Sequence, residues 1–259
     1  MNTTLKEKIK AGKPICGTHV QLAEPAICEI YGRMGFDYIW LDTEHSYLSF
    51  LDVLHCLNAC RVGGTPVMVR VPKDDLTATK KVLEMGPEGI LFPMVNSVEE
   101  AKRVIGYTLY PPYGTRGVGP MSAIGYGADD IVSYVKEDHL NMCRFIQIES
   151  KLAIEQLEEI VKVPYIDGFI FGPCDLSNDI GDHMNVFEGE TDAWLKKAIR
   201  IMKKHNKYIG ISHGGMSKEI IKHWHDLGID MISGGCDYTF LLEGAKKTLE
   251  NFKEVHLQA

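Results

Sequence analysis

In "FDYIWLDTEHS" (36–46) an apolar run is followed at once by two carboxylates and an imidazole: Asp42, Glu44 and His45. Such groups cannot stay inside an apolar strand without partners, so they belong where a strand leaves the core. There they either cap the next helix or do acid/base work, because a nearby carboxylate orients an imidazole and stabilises its charged form. Arg70, in "MVRVP", is a permanent cation able to hold a carboxylate or a developing enolate oxygen. Its plain alternative is a structural ion pair with Asp42 or Glu44. In "RFIQIES" (144–150) the period-two alternation of a strand puts Gln147 and Glu149 on one face. "FGPCDLS" sets Asp175 at the opening of a helix, and "YIGISHG" (208–214) ends in Ser212 and His213. Glu149 and Asp175 are hard oxygen donors, and two carboxylates with room for water and substrate oxygens suit Mg²⁺ or Mn²⁺. Asp175 alone would read as a helix cap. Glu149 weakens that reading, since a carboxylate within an apolar strand needs a partner to offset its desolvation. The backbone N–H groups of Cys174 and Asp175, at a helix start, are placed to receive a substrate carboxylate.

These groups converge only if their strands are brought to one rim. Short apolar runs rich in Ile, Val, Phe and Tyr recur at 14–22, 36–42, 66–71, 89–95, 144–150, 166–172, 208–214 and 230–235. Several are apolar almost throughout, as strands of a parallel sheet covered on both faces are. Helical spacing fills the intervals. The stretch 48–64 closes on a Gly-Gly stop, and 97–110 opens on a Ser cap with acids in its first turn. Eight strand-like runs with helices between them predict an α/β fold, a (β/α)8 TIM barrel, as one domain over 1–259. A doubly wound sheet is the alternative, because periodicity does not show closure. If the barrel closes, all these polar groups line one mouth, at the carboxyl ends of the strands.

The bulk numbers exclude several functions. Lys plus Arg is 28 and Asp plus Glu is 35, a net charge of −7 that gives no electrostatic reason to bind nucleic acid or an anionic membrane. No apolar run approaches a membrane span, and "MNTTLKEKIKAGKP" does not read as a signal or transit peptide. Seven cysteines at irregular spacing predict reduced thiols in a cytoplasmic protein. Cys56 and Cys60 share a helix face without a second pair at ligand spacing, so they read as packing. "HWH" (223–225) reads as surface, since alternating helical residues point apart, and "SHGG" (212–215) lacks the spacing of a phosphate loop. The longest interval carries "YPPYGTRGVGPMSAIGYG" (110–127), dense in Gly, Pro and aromatics, which predicts a lid or a subunit contact.

Taken in order, "GFDYIWLDTEH", "VRVP", "YPPYGTRGVG", "IQIES" and "FGPCDLSNDIG" resemble the HpcH/HpaI aldolase family, the metal-dependent class II aldolases of 2-keto-3-deoxy and 4-hydroxy-2-oxo acids. The resemblance runs from about "CGTHVQLAEPAICEI" to "SGGCD". It implies a barrel of the phosphoenolpyruvate/pyruvate type, assembled as a homohexamer of paired trimers. It assigns Glu149 and Asp175 to a divalent cation (Mg²⁺, Mn²⁺ or Co²⁺), Gln147 and Arg70 to the pyruvate end, and His45, supported by Asp42, to acid/base catalysis. The implied activity is cleavage or formation of such an acid as pyruvate plus an aldehyde. Alternatives are a metal-dependent lyase or decarboxylase of another small oxo acid, and a non-catalytic oxo-acid-binding barrel. A lysine route is disfavoured, because Lys162 and Lys207 precede strands and belong to the opposite face. The chain departs from the family's "VLDxGA" with "VLEMGPEG", which sets Glu84 and Pro87 near the site or a subunit interface. "SYLSF" after His45 and "GPMSAIGYG" are also individual and are expected to shape the aldehyde side.

Overall fold

The computed structural model describes residues 3–213, 215 and 217–256. Eight parallel strands close into a barrel in sequence order: β1 (Ile15–Val20), β2 (Tyr38–Asp42), β3 (Val67–Arg70), β4 (Gly89–Phe92), β5 (Cys143–Ile148), β6 (Gly168–Phe171), β7 (Tyr208–His213) and β8 (Met231–Cys236). Each predicted apolar run supplies one strand; Gly214, the last residue of the seventh run, lies outside the described residues. The helices are α1 (Leu5–Lys10), α2 (Pro25–Met34), α3 (Phe50–Gly63), α4 (Leu76–Met85), α5 (Val98–Gly106) and α6 (Ile131–Asn141), then α7 (Lys151–Glu155), α8 (Leu157–Ile160), α9 (Pro173–Asp179), α10 (Gly189–Lys204), α11 (Lys218–Leu227) and α12 (Asp237–His256). Local signals set their ends. Ser49 and Asp52 form a capping box at the start of α3, and Gly64 ends it in the left-handed region (φ 74°) that favours glycine. Ser97 caps α5, with Glu99 and Glu100 in its first turn; that helix ends at Gly106, short of the predicted 110.

Alternation along the strands produces two apolar cores. Inside the barrel, Ile15, Tyr38, Trp40, Met68, Leu91, Phe145, Ile170 and Met231 pack together, with Leu5 of α1 plugging the lower end. Outside, the other strand faces meet the helices in a larger core that includes Cys28, Cys56 and Cys60. Gly17 makes room across the inner core: a Cβ there would stand 2.3 Å from the Tyr38 ring. Trp40 and Phe145 are both 0% exposed, so the barrel is filled and its polar chemistry is confined to the rim.

The 110–127 loop sits beside the lower ends of α3 and α4, not over the mouth. Arg61 Nη1 donates to Ser122 Oγ (3.0 Å), and the Met121 N–H donates to the Glu84 carbonyl (3.3 Å). Within the single chain the loop does not cover the mouth. Its exposed apolar residues, Tyr113, Val118, Met121 and Tyr126, face solvent in the single chain. The loop is tied down by a buried triad. Asp138 accepts from Arg116 Nη1 and from Arg144 Nη2, each at 2.9 Å, and Arg116 also lies over the Tyr110 ring at 4.6 Å.

The "HWH" reading needs correction. Trp224 is buried, and His223 packs edge-on against it and against Phe187 (centroids 4.7 and 5.3 Å), leaving only His225 exposed. Position 224 falls on the apolar face of α11, and its indole brings the neighbouring imidazole with it.

Removing Asp138 would strand two buried guanidiniums without their common counter-charge, a change that costs roughly 3–5 kcal/mol in buried pairs. Asp138→Ala is expected to lower the thermal midpoint by about 10 °C. A shift within 2 °C in calorimetry would show that the triad contributes little.

Candidate active site

The carboxyl ends of the strands surround an open cavity of about 310 Å³, lined by His19, Gln21, Asp42, His45, Arg70, Gln147, Gly172, Cys174, Asp175, Ser212 and, at the β8–α12 junction, Gly235, Cys236, Tyr238 and Thr239. Asp42 and Arg70 are directly paired in the β2–β3 ladder, which puts the two side chains on the same face. Arg70 Nε donates to Asp42 Oδ1 at 2.9 Å and Nη2 to Asp42 Oδ2 at 2.5 Å. Nη1 donates to Gln147 Oε1 at 3.1 Å and lies 3.0 Å from Glu44 Oε2. The guanidinium also lies over Trp40, 5.1 Å from the ring centroid. The ion pair considered as the plain alternative for Arg70 thus exists, with both Asp42 and Glu44.

From Gln147 the network continues to Glu149. Gln147 Nε2 donates to Glu149 Oε2 at 2.8 Å, and the Met94 N–H donates to Oε1 at 2.6 Å. Met94 adopts a left-handed backbone (φ 52°), uncommon for a side chain of its size, and that geometry aims its N–H at the carboxylate. A Cβ built on Gly172 would stand 2.4 Å from Glu149 Oε2 and 3.4 Å from Asp175 Oδ2, so both carboxylates border the space the glycine leaves open. Asp175 is not the cap of α9; that place belongs to Gly172, and Asp175 lies in the first turn.

Burial pushes the Glu149 carboxyl up, the Met94 N–H draws it back, and the Asp175 charge adds to the rise, for a value of about 7. Burial also pushes Asp42 up, but the bond and charge of Arg70, with the N–H groups of His45 and Glu44, more than offset it and hold Asp42 below the ordinary range. Glu44 is raised, chiefly by burial against the pull of Arg70.

A divalent cation fits this donor set. Glu149 is 3% exposed, its oxygens are hard, and it borders the opening beside Gly172 together with Asp175. Among the described residues no group of three or more His, Cys, Asp or Glu forms a complete ligand cage. Water and substrate oxygens would therefore fill the remaining positions, as hard cations of this kind accept.

Asp42 reaches His45 through the backbone. Its Oδ1 accepts the N–H groups of Glu44 (3.0 Å) and His45 (3.3 Å), while the imidazole, 57% exposed at the rim, has Glu44 Oε2 as its near carboxylate at 3.8 Å. Ser212 lines the cavity, whereas His213 points outward onto Phe187 and Trp224. Within the chain Glu84 is not among the mouth's groups: it stands at the end of α4, and a Cβ on Gly119 would meet it at 2.9 Å. Pro87 lines a separate depression at the lower end of the barrel. The cavity lining includes neither 119–127 nor 46–50.

Sequence reasoning missed the opposite wall. His19 at the end of β1 packs edge-on to Trp40 (4.5 Å), and its Nε2 lies 3.4 Å from Ser212 Oγ. Burial brings its imidazole down to about 4, against the pull of Asp42, so it is neutral near pH 7. Gln21 Nε2 donates to Asp42 Oδ2 at 3.0 Å. Buried Asp237 accepts the N–H groups of Gln21 (2.9 Å), Leu22 (2.8 Å) and Tyr238 (2.9 Å), which fixes the rim between β1 and β8. The available signal was the alternation in "ICGTHV", which sets His19 on the face of Ile15 and Gly17.

Because Glu149 has an ordinary carboxylate value when unfolded and about 7 when folded, folding favours its protonated form. Its contribution is fully present below about pH 4.5 and is lost as pH rises through about 7, a loss of about 3 kcal/mol. In chelator, Glu149→Gln should therefore gain thermal stability over the parent between pH 5 and pH 8. Parallel melting curves across that window would refute the assignment.

Comparison with known proteins fits this geometry. Residues 16–237 match the model of the HpcH/HpaI aldolase/citrate lyase family. The chain is 32% identical over 252 residues to the 4-hydroxy-2-oxo-heptane-1,7-dioate aldolase of Klebsiella pneumoniae, covering 97% of this chain and 94% of the relative. It is 30% identical to the hydroxypyruvate/pyruvate aldolase of Deinococcus radiodurans over 98% and 91% of the two chains. The crystal structure of an HpcH/HpaI aldolase from Desulfitobacterium hafniense superposes with a TM-score of 0.91 at 29% identity, covering 98% of each chain. With strand-end carboxylates, guanidinium and amide on a closed eight-stranded barrel, and the family model matched over most of its length, the chain belongs to the HpcH/HpaI aldolase/citrate lyase family.

Proposed function

We propose that the protein is a metal-dependent aldolase that cleaves, or forms, a 4-hydroxy-2-oxo acid or 2-keto-3-deoxy acid, with pyruvate and an aldehyde as the other side of the reaction. The observation that carries this reading is the continuous Arg70–Gln147–Glu149 chain beside Asp175, on a mouth whose lining holds no lysine among the described residues. Glu149 and Asp175 would hold the cation. When bound, Mg²⁺, Mn²⁺ or Co²⁺ supplies a Lewis acid that polarises the keto oxygen of the substrate. Arg70, fixed by its fork on Asp42, stabilises negative charge as the pyruvate enolate develops. Gln147 sets the orientation of both Arg70 and Glu149, and the Cys174 and Asp175 N–H groups receive the substrate carboxylate. His45 at the rim takes the proton of the 4-hydroxyl, directly or through one water, and returns it in synthesis. Asp42 contributes by fixing the turn that carries His45.

The oligomeric reading, a homohexamer, is supported by apolar surface on the 110–127 loop and on α12. From Leu241 onward every described residue of α12 is exposed, including Leu242, Leu249, Phe252 and Val255. Seven free cysteines support a cytoplasmic setting, and no helix among the described residues is long and apolar enough to cross a membrane.

Chelation is expected to abolish turnover, and Mg²⁺, Mn²⁺ or Co²⁺ to restore it. Full activity in excess chelator, or a covalent adduct trapped by borohydride, would overturn the metal route in favour of an amine.

His45→Ala should separate two reactions. Aldol cleavage needs the hydroxyl proton removed and is expected to fall by roughly 10²–10⁴-fold, the range for losing a general acid/base. Oxaloacetate decarboxylation has no such proton and should fall much less, while Arg70→Ala should damage both. Equal losses for His45→Ala would return the histidine to a structural role.

A further inference from the structure

Five N–H groups converge on the Asp42 carboxylate. Oδ1 accepts Arg70 Nε at 2.9 Å and the backbone N–H groups of Glu44 and His45 at 3.0 and 3.3 Å. Oδ2 accepts Arg70 Nη2 at 2.5 Å and Gln21 Nε2 at 3.0 Å. An ionised carboxylate offers about four lone-pair sites, so Asp42 is saturated and has none left for the His45 ring. It can orient that imidazole only through the backbone of the 43–46 turn.

Four of these donors come from β3 or from the turn that follows β2. Gln21, just beyond β1, is the exception. Its amide reaches two acceptors: Asp42 Oδ2, and the His45 carbonyl at 3.5 Å, the outer limit of a hydrogen bond. Its own place is set from the β8 side, where the buried Asp237 carboxylate accepts the backbone N–H groups of Gln21 and Leu22 at 2.9 and 2.8 Å. The closure of the barrel, β8 on β1, is thereby tied to the turn that presents His45. Arg70 does not depend on that tie. It keeps its fork on Asp42, Gln147 at 3.1 Å, Glu44 at 3.0 Å and the face of Trp40. The turn is less constrained. The Thr43 and Ser46 hydroxyls anchor its two ends on the Arg70 and Asp42 carbonyls, and at His45, 57% exposed, the bracing side chain is Gln21.

We infer that Gln21 is a positioning residue for aldol cleavage: it clamps the Asp42 carboxylate to the His45 carbonyl and so sets the direction from which the imidazole meets the 4-hydroxyl. The inference rests on the aldolase reading above and adds the residue that aims its acid/base group. The place requires a neutral donor. Both partners of the Gln21 amide are acceptors, and a carboxylate there would face Asp42 with like charge.

Gln21→Met keeps the length of the side chain and removes both amide donors. Two reactions are followed in each protein: pyruvate release from 4-hydroxy-2-oxopentanoate and decarboxylation of oxaloacetate. A common loss of fold or metal cancels in their ratio. Gln21→Met is expected to lower kcat for cleavage by roughly tenfold, short of the ~10²-fold that a misplacement of about 1 Å can cost, with KM changed by less than about twofold. Decarboxylation should fall much less. Gln21→Glu, of equal size but without the donors, should lose at least as much cleavage as Gln21→Met. In a His45→Ala background Gln21→Met should cost nothing more, because the group it aims is gone, whereas independent effects would multiply. Undiminished cleavage by Gln21→Met, equal losses in the two reactions, or losses that multiply with His45→Ala would each overturn the inference. Pyruvate release by the parent separates the two levels. Without it the aldolase reading fails and this inference with it; with it, any of those three outcomes removes the inference alone.

Discussion

The site hangs on one buried ion pair. Asp42 and Arg70 face each other at the carboxyl ends of β2 and β3, and their fork-to-carboxylate contact leaves neither free to rotate. Asp42 then holds Gln21 on one side and the Glu44 and His45 N–H groups on the other. Arg70 holds Gln147, which holds Glu149. Gln21, Glu44, His45, Gln147 and Glu149 are thus all within two hydrogen bonds of this pair. Buried pairs of this kind add little net stability over an apolar replacement, but losing one partner leaves the other uncompensated. Their physical value here is geometric: the ladder register sets the pair, and the pair sets the rest.

The eight strands were legible because several are apolar almost throughout and helical spacing recurs between them. Closure was not, since periodicity is a local property and the hydrogen bonds of β1 to β8 join the two ends of the chain. The gathering of Asp42, His45, Arg70, Gln147, Glu149 and Asp175 near one rim follows once closure is granted, because all six lie at or just beyond strand ends. His213 shows the limit of that rule. It is one residue past Ser212, so the same alternation that turns Ser212 inward turns His213 out onto Phe187. His19 was hidden for a different reason: "GTHV" carries no second charge to mark it, and its partners Trp40 and Ser212 come from β2 and β7. The 110–127 loop could be recognised as ordered, but its seat on α3 and α4 depends on Arg61 and Arg116, whose partners lie far away in sequence or on the other side of the loop.

The position of lysine in the fold bears on the chemistry as strongly as any residue in the mouth. At the lower end of the barrel Lys6 pairs with Asp167 at 2.5 Å and Lys8 with Asp37 at 2.9 Å, while Lys207 lies just before β7 with its ammonium 6.0 Å from the Phe169 ring centroid. A nucleophilic lysine would have to stand at an inward position near the carboxyl end of a strand. Those positions are taken by His19, Asp42, Arg70, Gln147, Gly172 and Ser212, none of which is an amine. The alternation fills them with oxygen donors, neutral donors and one guanidinium, and none of these supplies the amine that a Schiff base needs. The opening beside Gly172 is bordered by two oxygen donors, Glu149 and Asp175.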